Sequence, residues 1–297
     1  TSNLAAITGN LGIKGGGVNP LRGQNNVQGA CMVGALPTVL ASGKPVTDDT
    51  ARKECSDLWC CDVPGKPGIP LTVLPENIGN GNIKFLWVLG ENPMMSDPDS
   101  EHFAHSLAGL EFMVSQDIFM SETCIKSDMV LPAAAFAEKE GTFVNTSRRV
   151  QLVNKAIDPP GEAKADWEII SIVAEKLGSS GFDYRDAWNI WDEIRTINRA
   201  QFGGMDIRRL KDMNGINAPC PNHQHPGTPV LYEGSKFSTP DGKALLIPVL
   251  FTEDNNQKAS LETEWRTKLN IDKDYPIMVG SINEKASGKY PYILTTG

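Results

Sequence analysis

"IKFLWVLG" (residues 83–90) is a nearly unbroken apolar run ending on glycine, and its reading decides the fold. It is short for a helix and lacks the polar alternation of a half-exposed strand, so it predicts a β-strand covered on both faces. "DPDSEHFAHSLAGL" (residues 97–110) follows as a capped helix, and "EFMVSQD" (Glu111–Asp117) as a second apolar strand. "SETCIKSD" (residues 121–128) supplies a short helical turn and "MVLPA" (Met129–Ala133) a third strand. Strand–helix–strand–helix–strand at this spacing implies parallel pairing through right-handed crossovers. The predicted class is therefore α/β: a doubly wound, mainly parallel sheet flanked by helices, with added β-hairpins and irregular segments.

Upstream, residues 4–8 end a helix that unwinds into the glycine-rich "GNLGIKGGG" (Gly9–Gly17). A phosphate-cradling loop needs a strand before it and Gly-Lys-Ser/Thr at its end, and neither is present. Asn25–Leu36 reads as a helix, with Asn25 as its cap, Gln28 in a capping-box relation and Pro37 as its stop. Residues 41–82, rich in Gly, Pro and Asp, read as a long, largely irregular excursion with room for one short helix. Downstream, residues 141–157 alternate as a hairpin turning at "NTSR", and Asp166–Gly178 is an amphipathic helix. "AWNIWDEIRTI" (residues 187–197) is another helix, after which regularity fades. "KFSTPDGKALLIPV" (residues 236–249) reads as a late hairpin turning on Pro-Asp-Gly, and "YPYILTTG" (residues 290–297) as a buried-type strand.

Composition narrows the function classes. The 297 residues are 40% hydrophobic and 22% charged, enough for a sizeable core in one large domain or two ordinary ones. A net charge of −8 argues against a nucleic-acid partner held by a basic surface. No apolar run approaches the roughly 20 residues that cross a bilayer, and no membrane segment is expected. The chain opens on Thr1 without a signal peptide, as an excised piece of a longer protein would. Six scattered cysteines read as reduced thiols, which points to the cytoplasm. "CSDLWCC" (residues 55–61) lacks paired CxxC spacing, "CPNHQH" (residues 220–225) lacks a fourth ligand, and His102 and His105 have no visible partner. No metal ligand is assigned to this chain.

In an open parallel sheet, ligands bind beyond the carboxyl ends of the strands. The first strand runs into Gly90-Glu91-Asn92-Pro93 and the second ends in Gln116-Asp117, and one crossover brings these two tips side by side. Gly90 allows close backbone approach, Asn92 offers a donor and an acceptor, and Asp117 offers an acceptor pair that suits the N1–H and exocyclic amine of guanine. The competing reading is that Asp97 and Asp117 cap helices. A GxGxxG fingerprint is missing. Lys139 and Asp166, on pattern alone, are ordinary solvated charges.

Taken together, "LAAITGNLGIKGGGVNPLRGQNNVQGACMVGALP", "LWVLGENPMMSDPD", "VSQDIFMSETCIKSDMVLPAAAFAEKEGTFVNTSRRVQ" and "DWEIISIVAEKLG" resemble the catalytic subunit of molybdopterin-dependent formate dehydrogenases. The resemblance covers nearly the whole chain and is least clear over residues 41–80 and 200–230. "VLP…EKEGTFVNTSRR" is similar to the wider molybdopterin oxidoreductase family, and "RGQNNVQGA" to its formate dehydrogenase branch. The resemblance implies a molybdenum or tungsten centre held by two molybdopterin guanine dinucleotides. One guanine end would be contacted by Gly90, Glu91, Asn92, Gln116 and Asp117, with Lys139 and Asp166 close by. It also implies that Arg22 holds the formate carboxylate, with Gln24 in the same constellation. An arginine fork makes two parallel charge-assisted hydrogen bonds to a carboxylate, which lysine cannot reproduce.

The implied reaction is reversible oxidation of formate to carbon dioxide. The cysteine or selenocysteine metal ligand and the [4Fe–4S] cluster of such subunits match nothing here, so both are expected upstream of Thr1, and this chain alone is expected to be inactive. Its partners would then be formate, the remaining domains of the subunit and an electron acceptor that the sequence does not identify. The expected division is a dinucleotide-binding region over residues 1–178 with a Rossmann-like core at 83–133, a helical and hairpin extension over 179–289, and the first strand of a C-terminal domain at 290–297. Two alternatives stay open: another molybdopterin oxidoreductase such as a nitrate reductase, whose substrate Arg22 would clamp equally well, and a non-catalytic structural homologue in an electron-transfer complex.

Overall fold

The computed structural model describes residues 1–97, 99–252, 255–269 and 277–281. The chain divides into a larger unit, Asn19–Pro229, and a smaller one made of Thr1–Val18 with the chain from Val230 onward. The expected boundary at 178 falls inside the larger unit. Helix α1 (Ser2–Ile7) opens the smaller unit and gives way to the glycine loop. There Gly12 sits at φ +77, where a Cβ would lie 2.2 Å from the carbonyl oxygen of Tyr232.

In the larger unit α2 is only Val27–Met32, far shorter than the helix expected over 25–36. Asn26, not Asn25, stands at its N-cap; it is left-handed (φ 63°) and makes no side-chain cap bond, so the expected capping box does not form. The stretch read as irregular contains α3 (Asp49–Trp59), capped by Asp48, and α4 (Leu74–Gly79). A narrow stripe, Ala51 and Cys55, packs α3 against Leu40. Strand β1 (Phe85–Leu89) then leads through α5 (Pro93–Ser96) and α6 (Ser100–Ser106) to β2 (Phe112–Asp117), and α7 (Glu122–Lys126) leads to β3 (Met129–Pro132). The three strands pair in parallel in the order β1-β2-β3, with Leu89 opposite Gln116 and Asp117 opposite Pro132. Phe103 of α6, Ile78 of α4 and Cys124 of α7 are buried in this unit.

The hairpin expected at 141–157 is present as β4 (Gly141–Val144) and β5 (Arg149–Val153), antiparallel. Helix α8 (Asp166–Lys176) ends before Gly178, at φ +83, and α9 (Ala187–Ile197) follows. Regularity does not fade there: α10 (Arg199–Phe202) and α11 (Ile207–Asp212) follow, then β6 (Ile216–Asn217), which pairs antiparallel with β5. Trp191, Phe202, Met205, Leu210 and Ile216 form one core with Val144 and Val150 of the hairpin. This shared core is why the chain does not divide at 178.

In the smaller unit the Pro-Asp-Gly turn forms, with the Gly242 amide donating to Thr239 at 3.0 Å, but the expected hairpin does not. Instead β7 (Val249–Thr252) pairs in parallel with the distant β8 (Met278–Ser281), and α12 (Lys258–Leu269) lies between them in sequence. The strand expected at 290–297 lies outside the described residues. Among the described residues, no helix is long and apolar enough to cross a membrane.

Candidate functional site

The parallel register places the two polar strand tips side by side. The Gly90 amide donates to the Gln116 carbonyl at 2.8 Å and the Ala133 amide to the Asp117 carbonyl at 3.0 Å, so the ladder holds right up to the tips. Gly90 sits at φ +64 with open space where a Cβ would be, so it is the backbone conformation that favours glycine there. Glu91 is exposed as a residue, yet partial desolvation of its carboxyl, with repulsion from Asp97 added, raises its pKa.

Asn92 works as a strap. Its Nδ2 donates to Glu122 Oε2 at 2.7 Å, and its Oδ1 accepts from the Thr123 hydroxyl at 2.7 Å and the Thr123 amide at 3.2 Å. The bond from Asn92 is the main reason the Glu122 carboxyl stays below its ordinary range. Both ends of this carboxamide are thus occupied in tying the β1 tip to α7. Asp117 Oδ1 accepts from the Ile118 amide at 2.6 Å. The helix-capping reading holds for neither Asp97 nor Asp117, since α6 is capped by Asp99 and α7 by Ser121.

Behind the tips runs a second set of contacts. Gln116 is 0% exposed, so in this structure it lies beneath the surface and not on it. Its Nε2 donates to Asp166 Oδ1 at 2.9 Å, while Asp166 Oδ2 takes a short hydrogen bond from Lys139 Nζ. Asp166 is the first residue of α8, and that position is fixed because Glu168 reaches back to the Ala165 amide at 2.9 Å. Lys139 and Asp166, with Phe136, Phe143 and Trp167, line a cavity of about 290 Å³. The two residues that pattern alone made solvated charges are therefore a half-buried ion pair.

Arg22 and Gln24 line a separate cavity of about 310 Å³, together with Asn25, Asn26, Asn145 and Thr146. The lining is mainly polar, with Val27 and Val144 as its apolar members, and carries no charge apart from the guanidinium. Arg22 is exposed and makes no hydrogen bond or ion pair among the described residues. Asn26 lines both cavities. Sequence reasoning missed it, along with the Glu122–Thr123 side of the strap. The available signal was the pair Asn25-Asn26 followed by Gly29, since asparagine tolerates left-handed backbone and glycine makes room for a neighbour.

The sequence-predicted residues thus fall into three groups. Gly90, Glu91, Asn92 and Asp117 form the tips; Gln116 links them to Asp166 and Lys139; Arg22 and Gln24 stand in their own cavity. At the tips, Glu91 and Asp117 Oδ2 have no hydrogen-bond donor among the described residues and stand open as acceptors, whereas the lone Gln116 Oε1 is buried beneath them. Guanine N–H groups are donors of the kind these acceptors need. Among the described residues, no group of three or more His, Cys, Asp or Glu side chains stands together as a metal would require.

A sequence profile described as molybdopterin oxidoreductase matches residues 1–176. The F420-dependent formate dehydrogenase subunit alpha of Methanocaldococcus jannaschii is 46% identical over 278 residues, covering 93% of this chain and 38% of that protein. The F420-dependent formate dehydrogenase 1 subunit alpha of Methanococcus maripaludis is 39% identical, covering 99% of this chain and 39% of that one. The assimilatory nitrate reductase catalytic subunit of Bacillus subtilis is 33% identical, with coverage of 99% and 39%. The chain thus spans less than two fifths of the length of these relatives.

Proposed function

The chain belongs to the molybdopterin oxidoreductase family, and from that premise we propose that it is part of a formate dehydrogenase catalytic subunit in which Arg22 clamps the carboxylate of formate. The observation that carries this reading is a guanidinium without a carboxylate partner in a polar, otherwise uncharged cavity. Its place on a chain 46% identical to a formate dehydrogenase subunit adds support.

A clamp of this kind has directional value. Formate carries a full negative charge that the guanidinium fork binds side-on with two hydrogen bonds, whereas carbon dioxide carries none. Arg22 therefore holds and orients the reactant and releases the product. Gln24 lines the same cavity and offers an amide to the same carboxylate.

The proposed cofactor is a molybdopterin guanine dinucleotide with molybdenum or tungsten, which when bound supplies the two-electron acceptor. Gly90, Glu91 and Asp117 would hold its guanine end, with Asn92 and Gln116 supporting them from behind and the Lys139–Asp166 pair beneath. A [4Fe–4S] cluster and the metal ligand belong, in this proposal, to parts of the subunit outside this chain, so the 297-residue polypeptide by itself does not oxidise formate. A cytoplasmic location is part of the same proposal, on the pattern of scattered thiols.

The test is Arg22→Lys in the full subunit. Arg22 is exposed in this chain, so the clamp requires cover from the rest of the subunit. Losing a bidentate pair so covered costs roughly 2–4 kcal/mol, and kcat/KM for formate should fall about 30- to 1000-fold. The guanine released on denaturation should stay at the wild-type amount. Unchanged formate kinetics would remove Arg22 from the site, and a wild-type subunit that releases no guanine would remove the dinucleotide. The 33% identity to a nitrate reductase keeps one alternative in view: an enzyme that consumes nitrate and ignores formate would establish it.

A further inference from the structure

We infer that Asn26 is a positioning residue that sets the width of the Arg22 cavity, and that Gly29 is glycine because the Asn26 carboxamide occupies the space of its side chain. The inference rests on the reading of Arg22 as the substrate clamp.

Asn26 lies four residues after Arg22, in left-handed backbone at φ 63°. This conformation is rare for any residue but glycine, asparagine and aspartate, and it turns the chain out of the Arg22 loop into α2. An N-cap asparagine ordinarily turns its side chain back onto its own helix; this one makes no such bond. Its Oδ1 instead accepts from the Val144 amide at 2.9 Å, across 118 residues of sequence. Val144 is 4% exposed and ends β4, which lies at the edge of its sheet among the described strands. The carboxamide therefore satisfies a buried edge-strand amide.

The two residues after Val144 are Asn145 and Thr146, which form the wall of the cavity shared with Arg22. One side-chain hydrogen bond thus joins the loop carrying the guanidinium to the strand carrying the opposite wall. The same residue also lines the cavity of Lys139 and Asp166.

Gly29 supplies an independent sign that the arrangement is built. A Cβ there would stand 2.1 Å from Asn26 Oδ1 and 3.1 Å from Val144 Cγ2. Gly29 has no φ in the left-handed region, so its backbone does not call for glycine; the carboxamide does.

The experiment is steady-state kinetics on the full cofactor-loaded subunit with Asn26→Ala, Asn26→Gln and Asn26→Asp, beside Arg22→Lys. Displacing a substrate-positioning group by about 1 Å costs on the order of 100-fold. Asn26→Ala and Asn26→Gln should therefore raise KM for formate at least about 10-fold while kcat changes less than about 3-fold and cofactor content holds. Asn26→Asp keeps the acceptor for Val144 and tolerates the left-handed backbone but adds a carboxylate to the Arg22 cavity that opposes formate, so it serves as the control for folding and cofactor content, which should match wild type. Should the alanine variant not fold, the glutamine variant carries the comparison with the aspartate variant as its folding control, and insolubility of all three overturns the inference in favour of a purely structural role. A wild-type KM in Asn26→Ala or Asn26→Gln, with Arg22→Lys impaired, overturns the inference and leaves the clamp standing. Unimpaired Arg22→Lys overturns the clamp itself.

Discussion

Replacing Asp166 tests the support beneath the strand tips. Asp166 serves two neighbours at once: Gln116, from which it accepts at 2.9 Å, and Lys139, with which it pairs. The carboxylate only accepts, so the Gln116 amide must face it with its nitrogen, which fixes the orientation and leaves Oε1 without a partner. Asp166→Ala removes the one side-chain hydrogen bond that the fully buried Gln116 amide makes among the described residues, at about 1–3 kcal/mol. It also leaves Lys139 unpaired; with side chains 28% and 29% exposed, that pair contributes roughly 0–1 kcal/mol after screening. The sum is about 1–4 kcal/mol. Asp166→Asn keeps an oxygen for Gln116 Nε2 but turns its amide nitrogen toward Lys139, losing both the charge and that acceptor, so it should cost about 1 kcal/mol or less. Urea unfolding of the chain, followed by tryptophan fluorescence, should show the midpoint falling in that order with an unchanged slope. In a Gln116→Met background, where no amide remains to be orphaned, the cost of Asp166→Ala should drop by about 1 kcal/mol or more. Equal losses for alanine and asparagine, or full additivity with Gln116→Met, would refute the network.

Burial, with help from the Glu193 carboxylate that accepts the Tyr184 hydroxyl at 2.9 Å, pushes the Tyr184 phenol from 10.0 up to about 12. Between those values the unfolded chain releases this proton and the folded chain keeps it, so this group's contribution to stability is complete below pH 10 and is lost as pH rises towards 12. Tyr184→Phe should flatten the alkaline fall in stability across that window, and an identical fall in both proteins would discount Tyr184. Cys60 ends α3 in left-handed backbone at φ 52°, where glycine carries no Cβ penalty. Cys60→Gly should stabilise the chain by about 1 kcal/mol, read as a rise in thermal midpoint; a lower midpoint would show that the thiol's packing outweighs the strain.

The parallel order and the paired tips were legible because three apolar runs follow one another at crossover spacing and the first two turn polar at their ends. The cover expected on both faces is found only at β2: β1 buries Val88 alone, with Phe85 and Leu89 exposed, and β3 buries none of its four residues. Helix α3 escaped because only Ala51 and Cys55 of it are buried, too narrow a stripe to show as periodicity amid charge. The Pro-Asp-Gly turn was read correctly as a turn, yet turn chemistry decides only local direction: β7 found its partner in β8, far along the chain, which no local signal specifies. At the site, residue types revealed the tips but not how they are held. Asn92 was assigned to the ligand because an amide suits a nucleotide, and Gln116 by the family resemblance; in the structure both ends of the Asn92 amide are engaged by Thr123 and Glu122, and the Gln116 amide nitrogen by Asp166.

The proposed functions of the site rest on supports of different stiffness. The strand tips are extensions of a hydrogen-bonded ladder, braced by Asn92 on one side and Gln116 on the other, so a single loss leaves several bonds in place. The Arg22 loop lies between a glycine-rich entry and a short helix, and among the described residues the side-chain hydrogen bond that joins it to β4 is the one Asn26 accepts from Val144. A cooperative ladder resists displacement at any one rung, whereas a loop tethered at one point moves with its tether. Substitutions around the tips should therefore act mainly on cofactor retention and only when they remove an acceptor. Substitutions at Asn26 and Gly29, which touch no substrate, should act on formate affinity out of proportion to their size.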